Sequence, residues 1–123
     1  MQILPTRLHG LLDYLVSMLV IALPFVAGWH GAARWSFIAL GGLGIAYSLM
    51  TDYEWGGVRV LPMPLHLALD AIFGAAMVVL AAVLDLRGYV WLVVAIGILA
   101  WVLVMITERR PGSPAPEIRG RAP

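Results

Sequence analysis

The chain has 123 residues, of which 62% are hydrophobic and 12% charged, about half the charged share of a typical soluble domain. At a mean hydropathy of +0.92, this composition excludes an ordinary soluble fold, because too few charged side chains are present to cover its surface. The net charge of +1, with all eight basic residues arginine, argues against a nucleic-acid partner, and the absence of cysteine excludes disulfides, thiolate metal sites and thiol redox chemistry.

Four apolar spans are predicted in chain order, at residues 8–29, 34–51, 64–86 and 89–107, with lengths of 22, 18, 23 and 19. Each is near the ~20 residues that cross ~30 Å of hydrocarbon as a helix. The first reads as a retained span and not a cleaved leader, because polar His9 and Asp13 interrupt it and no small-residue cleavage site follows. Pro24 is expected to kink it, a feature tolerated where neighbouring helices satisfy the freed carbonyl. Small residues at Gly41, Gly42, Gly44 and Ala46 in the second span, and at Gly74, Ala75 and Ala76 in the third, should permit close helix approach within the bundle. Tight turns at 30–33 and 87–88 join the spans in pairs, and a 12-residue loop carrying Asp52-Tyr53-Glu54-Trp55 and Arg59 joins the pairs. The expectation is an all-α integral membrane protein, a four-transmembrane-helix bundle filling residues 1–107. A flexible cytoplasmic tail, 108–123, follows it, with four Arg and four Pro.

Arginine count sets the expected orientation. Arg7, Arg59, Arg109, Arg110, Arg119 and Arg121 fall on the side of the termini and middle loop, against Arg34 and Arg87 on the other, so the positive-inside rule places both termini in the cytoplasm. Trp29, Trp35, Tyr89 and Trp91 gather at the short turns, where aromatic rings anchor at headgroup level. Trp55 is expected to do the same on the cytoplasmic side. The Arg-rich, Lys-free composition fits a bacterial inner membrane.

The chain repeats itself. Leu4-Pro5-Thr6-Arg7-Leu8-His9-Gly10-Leu11-Leu12-Asp13 aligns with Leu61-Pro62-Met63-Pro64-Leu65-His66-Leu67-Ala68-Leu69-Asp70 at an offset of 57, with six of ten positions identical. After a one-residue slip the offset becomes 56, and Trp35/Trp91, Ala39/Ala95, Gly41/Gly97, Leu43/Leu99 and Thr51/Thr107 match. The chain therefore reads as a duplicated helical hairpin, with one copy at about 4–54 and the other at about 61–108. Two spans per copy give parallel repeats, related by an axis along the membrane normal.

Paired hairpins of this length, the His-Gly-Leu-Leu-Asp-Tyr and Leu-Met-Thr-Asp-Tyr-Glu stretches, and a first span ending in Leu23-Pro24-Phe25-Val26-Ala27-Gly28-Trp29 resemble the bacterial SPW-repeat membrane proteins over residues 5 to 108. The resemblance implies a small integral membrane protein and carries over no catalytic residue.

Polar residues inside the spans are the informative ones. Asp13 lies 15 residues before Gly28, and Asp70 lies 15 before Asp85, about 22 Å of helix. A ~30 Å slab therefore leaves both carboxylates inside the boundary, where they must be paired. His9 and His66 precede them by four residues, one above the other on a helix face. Duplication should bring His9, Asp13, His66 and Asp70 together at the cytoplasmic side, near Thr51, Asp52, Thr107 and Glu108, with Arg7 or Arg59 as charge partners.

Three chemistries compete for this cluster. It can hold the bundle by hydrogen bonds. Its two imidazoles and two carboxylates can bind zinc or iron, or the imidazoles can ligate a haem axially. It can also relay protons or ions, although beyond it only His30, Arg34 and Asp85 continue a polar path. No nucleophile with a neighbouring base and no phosphate-binding glycine loop is present. The expected function is that of a small non-enzymatic structural or accessory protein with no cofactor, with ion or proton translocation as the alternative and a metal- or haem-binding redox protein third. Expected partners are the lipid bilayer and a second membrane protein or copy of the chain, with the middle loop as a contact surface.

Overall fold

Pro5 and Pro62, at matching positions in the two halves, both take the extended conformation at a helix N-cap, with φ −61° and −66°. A proline cannot donate a backbone hydrogen bond and its φ is preset, so it suits the boundary at which a helix begins. The computed structural model describes residues 3–107, and in it α1 runs Thr6–Val26 and α3 runs Met63–Val83, each 21 residues. The partner helices are α2, Gly31–Leu49, and α4, Val90–Ile106. Glu108 and the predicted tail lie outside the described residues.

The described chain is all-helical, and its helices differ from the predicted spans at their ends. α1 and α3 start earlier because the prolines, and not the apolar windows, set their N-termini. The short connections are 27–30 and 84–89, each turning on glycine with positive φ, +69° at Gly28 and +89° at Gly88. Pro24 falls in the last turn of α1, and Trp29 N–H donates to its carbonyl at 2.8 Å as the chain leaves the helix. α1 and α3 are long and apolar enough to cross a membrane, and α4 is apolar but only 17 residues.

α1 packs closely on α2, and α3 on α4. Both pairings run through glycine. A Cβ on Gly41 would stand 2.7 Å from the Ser17 carbonyl oxygen, and one on Gly74 would stand 2.7 Å from that of Gly97, so only hydrogen lets these backbones approach. Gly42, by contrast, faces open space. Helix-to-helix contact between the two hairpins is slighter, chiefly α2 with α3, so side chains and short backbone pairings at the helix ends hold the seam. Its apolar part is built on Val20, Phe37, Phe73, Met77 and Val93.

Trp29 corrects its sequence reading. It is 2% exposed and belongs to this core, donating its indole N–H to Leu86 O at 3.1 Å, whereas Trp35 and Trp91 are exposed. The outer faces carry large exposed apolar side chains along every helix, among them Leu15, Leu43, Ile72, Val79 and Met105.

Candidate functional site

Two short backbone pairings position the site. Leu4, leading into α1, bridges Thr107 at the end of α4, and Leu61, leading into α3, bridges Thr51 at the end of α2. Each joins the end of one hairpin to the start of a helix bearing His and Asp, and so delivers a threonine to a histidine. His9 Nδ1 lies 2.6 Å from Thr107 Oγ1, and His66 Nδ1 lies 2.6 Å from Thr51 Oγ1.

The hydroxyl protons are already committed. Thr51 Oγ1 donates to Tyr47 O at 2.6 Å, and Thr107 Oγ1 donates to Leu103 O. A hydroxyl has one proton, so each threonine accepts from its histidine, and both imidazoles carry a proton on Nδ1. Both Nε2 atoms then face the carboxylates. His9 Nε2 is 2.7 Å from Asp70 Oδ2 and 3.1 Å from Asp13 Oδ1; His66 Nε2 is 2.9 Å from Asp13 Oδ2 and 3.2 Å from Asp70 Oδ2. The shortest contact of each imidazole is with the aspartate of the other hairpin.

Burial makes these contacts consequential. His9 and His66 are fully enclosed, and the aspartate side chains are 9% and 8% exposed. Buried charged groups cost several kcal/mol unless they are paired and hydrogen-bonded, and here each carboxylate faces two imidazoles and a phenol. Tyr47 OH donates to Asp70 Oδ1 at 2.6 Å, and Tyr53 OH reaches Asp13 Oδ2 at 3.4 Å. Burial pushes the Tyr53 phenol up, with the Asp13 charge adding to it, so this hydroxyl stays a neutral donor.

The four predicted groups His9, Asp13, His66 and Asp70 thus meet, with Thr51 and Thr107 beside them. Asp52 does not join them: its side chain is exposed, and it contributes a backbone N–H to Leu61 O at 2.7 Å. Arg7 and Arg59 are also exposed. Among the described residues the cluster's ion pairs are the four His–Asp contacts, and Arg7 supplies only its carbonyl, to the Trp55 indole at 2.7 Å. Glu108 lies outside the described residues.

Sequence reasoning missed Tyr47, while the middle loop, read from sequence as an ordered interfacial loop, folds over the cluster as a fixed lid. Tyr47 stands four residues before Thr51, a helical neighbour of a residue already singled out, and that spacing was the available signal. In the lid, Thr6 Oγ1 donates to the Glu54 carboxylate, 2.7 Å to its nearer oxygen, and Tyr14 OH donates to Trp55 O at 2.8 Å. Gly10 makes room for it, since a Cβ there would meet the Tyr53 and Trp55 rings at 2.6 Å.

A cavity of about 20 Å³ opens beside His9, Asp13, Ser17, Tyr47 and Asp70, room for about one water. Comparison with protein-family models, with curated proteins and with solved structures found no match to the chain.

Proposed function

We propose that this chain is a small, non-enzymatic, four-span protein of a bacterial inner membrane, in which a duplicated hairpin is closed at its cytoplasmic end by the His/Asp cluster. Its role is structural or accessory, with the middle loop offering the contact surface to a membrane-protein partner or a second copy. The single observation carrying this reading is that the cluster's shortest contacts cross the seam: His9 to Asp70, His66 to Asp13, Tyr47 to Asp70 and His9 to Thr107. Helix-to-helix contact between the hairpins is slight, so a polar knot beside the short backbone pairings at that end has a structural task without any reaction.

Three further features support the membrane and repeat parts of the reading. Exposed apolar side chains cover every helix, a surface that water penalises and lipid does not. The two Leu/Thr bridges and the two His/Thr contacts each map onto the other at the sequence offsets of 57 and 56. The likeness to SPW-repeat proteins agrees with a compact chain of paired hairpins. Translocation is disfavoured because the seam beyond the cluster is closed by Val20, Phe37, Phe73 and Met77.

Reporter fusions after Pro123 and at His30 test the topology. The expected result is a cytoplasmic C-terminus and an external His30; the reverse at either point overturns it. Reconstituted in liposomes, the chain should pass neither protons nor cations, and flux abolished by Asp13→Asn with the fold intact would replace this reading with translocation.

A further inference from the structure

We infer that His9, Asp13, His66 and Asp70 form a binding site for one divalent first-row transition ion, with Zn²⁺ the best fit. This deepens the structural reading of the same cluster and rests on it, since the ion would clamp the seam that the cluster already closes.

The donor geometry comes first. One donor atom from each residue lies within 4.8 Å of the others; Asp70 Oδ2 stands 2.7 and 3.2 Å from the two imidazole Nε2 atoms, whereas Asp13 meets His9 through Oδ1 at 3.1 Å and His66 through Oδ2 at 2.9 Å. Zinc bonds of ~2.0–2.1 Å in a tetrahedron give donor-to-donor edges of about 3.3 Å. The His–Asp contacts are shorter than these edges and would open by up to about 0.6 Å to admit the ion, with Asp13 bonding through one of its two oxygens.

The surrounding hydrogen bonds point the same way. Metal-ligating imidazoles commonly donate their other ring N–H to an oxygen that fixes the tautomer and aims the lone pair. Here both Nδ1 protons are held by threonine hydroxyls whose own protons go to helix carbonyls, so both Nε2 atoms are turned inward. Asp70 is held likewise: Tyr47 OH takes Oδ1 and leaves Oδ2, the oxygen facing both imidazoles, as the ligand atom. Three of the four residues, His9, His66 and Asp70, are thus tied at their outer atom and present Nε2 or Oδ2 inward, while Asp13 presents both oxygens to the imidazoles.

Charge and softness choose the ion. Metal binding would displace the proton that each Nε2 shares with a carboxylate, releasing two protons, and the two carboxylates then balance a divalent cation in a place where net charge is costly. Two imidazole nitrogens argue against Mg²⁺ and Ca²⁺, which take oxygen, and the lack of thiolate argues against Cu⁺. The adjoining cavity of about 20 Å³ leaves room for a single water as a fifth ligand.

The test uses the full chain, purified in detergent with its tag removed, stripped with chelator, and titrated with Zn²⁺ against a chromophoric competitor. Expected is one Zn²⁺ per chain, with binding weakened about 10–100-fold in Thr51→Val and Thr107→Val and more in Asp70→Asn, but unchanged in His30→Ala. Co²⁺-loaded wild type should show an X-ray absorption shell of two imidazole nitrogens and carboxylate oxygen, which needs no variant to fold. A helical wild-type chain that takes less than one Zn²⁺, a shell of oxygen alone, or binding lost in His30→Ala overturns the site. If zinc does not bind yet metal-free Asp70→Asn is destabilised, the metal inference falls and the structural reading stands. Full stability of metal-free Asp70→Asn would sink the structural reading itself.

Discussion

The seam between the hairpins is fastened differently at its two ends. At the cluster end, positions 57 apart carry identical residues, His9/His66 and Asp13/Asp70, and the contacts come in reciprocal pairs. At the far end the same offset relates Trp29 to Leu86, and the seam is crossed by one indole N–H to one carbonyl and one ring contact, Trp29 to Tyr89 at 5.8 Å, with Phe37 of the first hairpin packed beside Trp29 at 4.9 Å. A buried polar contact tolerates little displacement, since an unpaired group bears its full desolvation cost, whereas an apolar contact accepts repacking. The polar end therefore sets which way the hairpins meet, and the aromatic end supplies area.

The largest expected effect comes from removing one carboxylate at the polar end. Asp70→Ala removes the nearer carboxylate from His9, one of two from His66 and the acceptor of the Tyr47 hydroxyl, and should cost about 3–5 kcal/mol in equilibrium unfolding in detergent. Asp13→Ala should cost less, because the Tyr53 contact it loses is already long at 3.4 Å. Equal costs would erase the asymmetry within the cluster.

Next is a change inside one hairpin, away from the seam. Gly74→Val drives a side chain into the Gly97 carbonyl, 2.7 Å from the new Cβ, and should cost at least about 1–3 kcal/mol. Gly42→Ala meets nothing within 4 Å and should be neutral or stabilising by up to about 1 kcal/mol. The two melting curves, read together, separate close approach from mere small-residue composition.

At the far end, Trp29→Phe keeps an aromatic ring and loses the hydrogen bond to Leu86 O, with an expected cost of about 1 kcal/mol. A loss as large as that of Asp70→Ala would reverse the ranking of the two ends.

What the sequence made legible follows from the same contrast. The i,i+4 His–Asp spacing, found twice, was enough to bring four residues together, because helix periodicity fixes a face and burial in an apolar span forces polar groups to seek each other. Trp29 was misread since an aromatic residue at the end of a span has the composition of an interfacial anchor, and only the packing of the connections shows it turned inward. Tyr47 and Tyr53 were missed because neither is repeated: Leu103 stands opposite Tyr47 at the offset of 56. The prolines that start α1 and α3 decided the helix ends more firmly than hydropathy did. Arg7 and Arg59 were natural charge partners by proximity in sequence, yet the imidazoles, already on the buried face, supply what the carboxylates need.

The central claim is that the cluster couples one hairpin to the other, and a double-mutant cycle on the shortest cross-seam pair tests it most directly. His9→Gln, Asp70→Asn and the double variant would be unfolded reversibly in the same detergent, metal-free. The account predicts a coupling energy of about 1–3 kcal/mol between these two positions, 61 residues apart in sequence. Additivity within about 0.3 kcal/mol would contradict it.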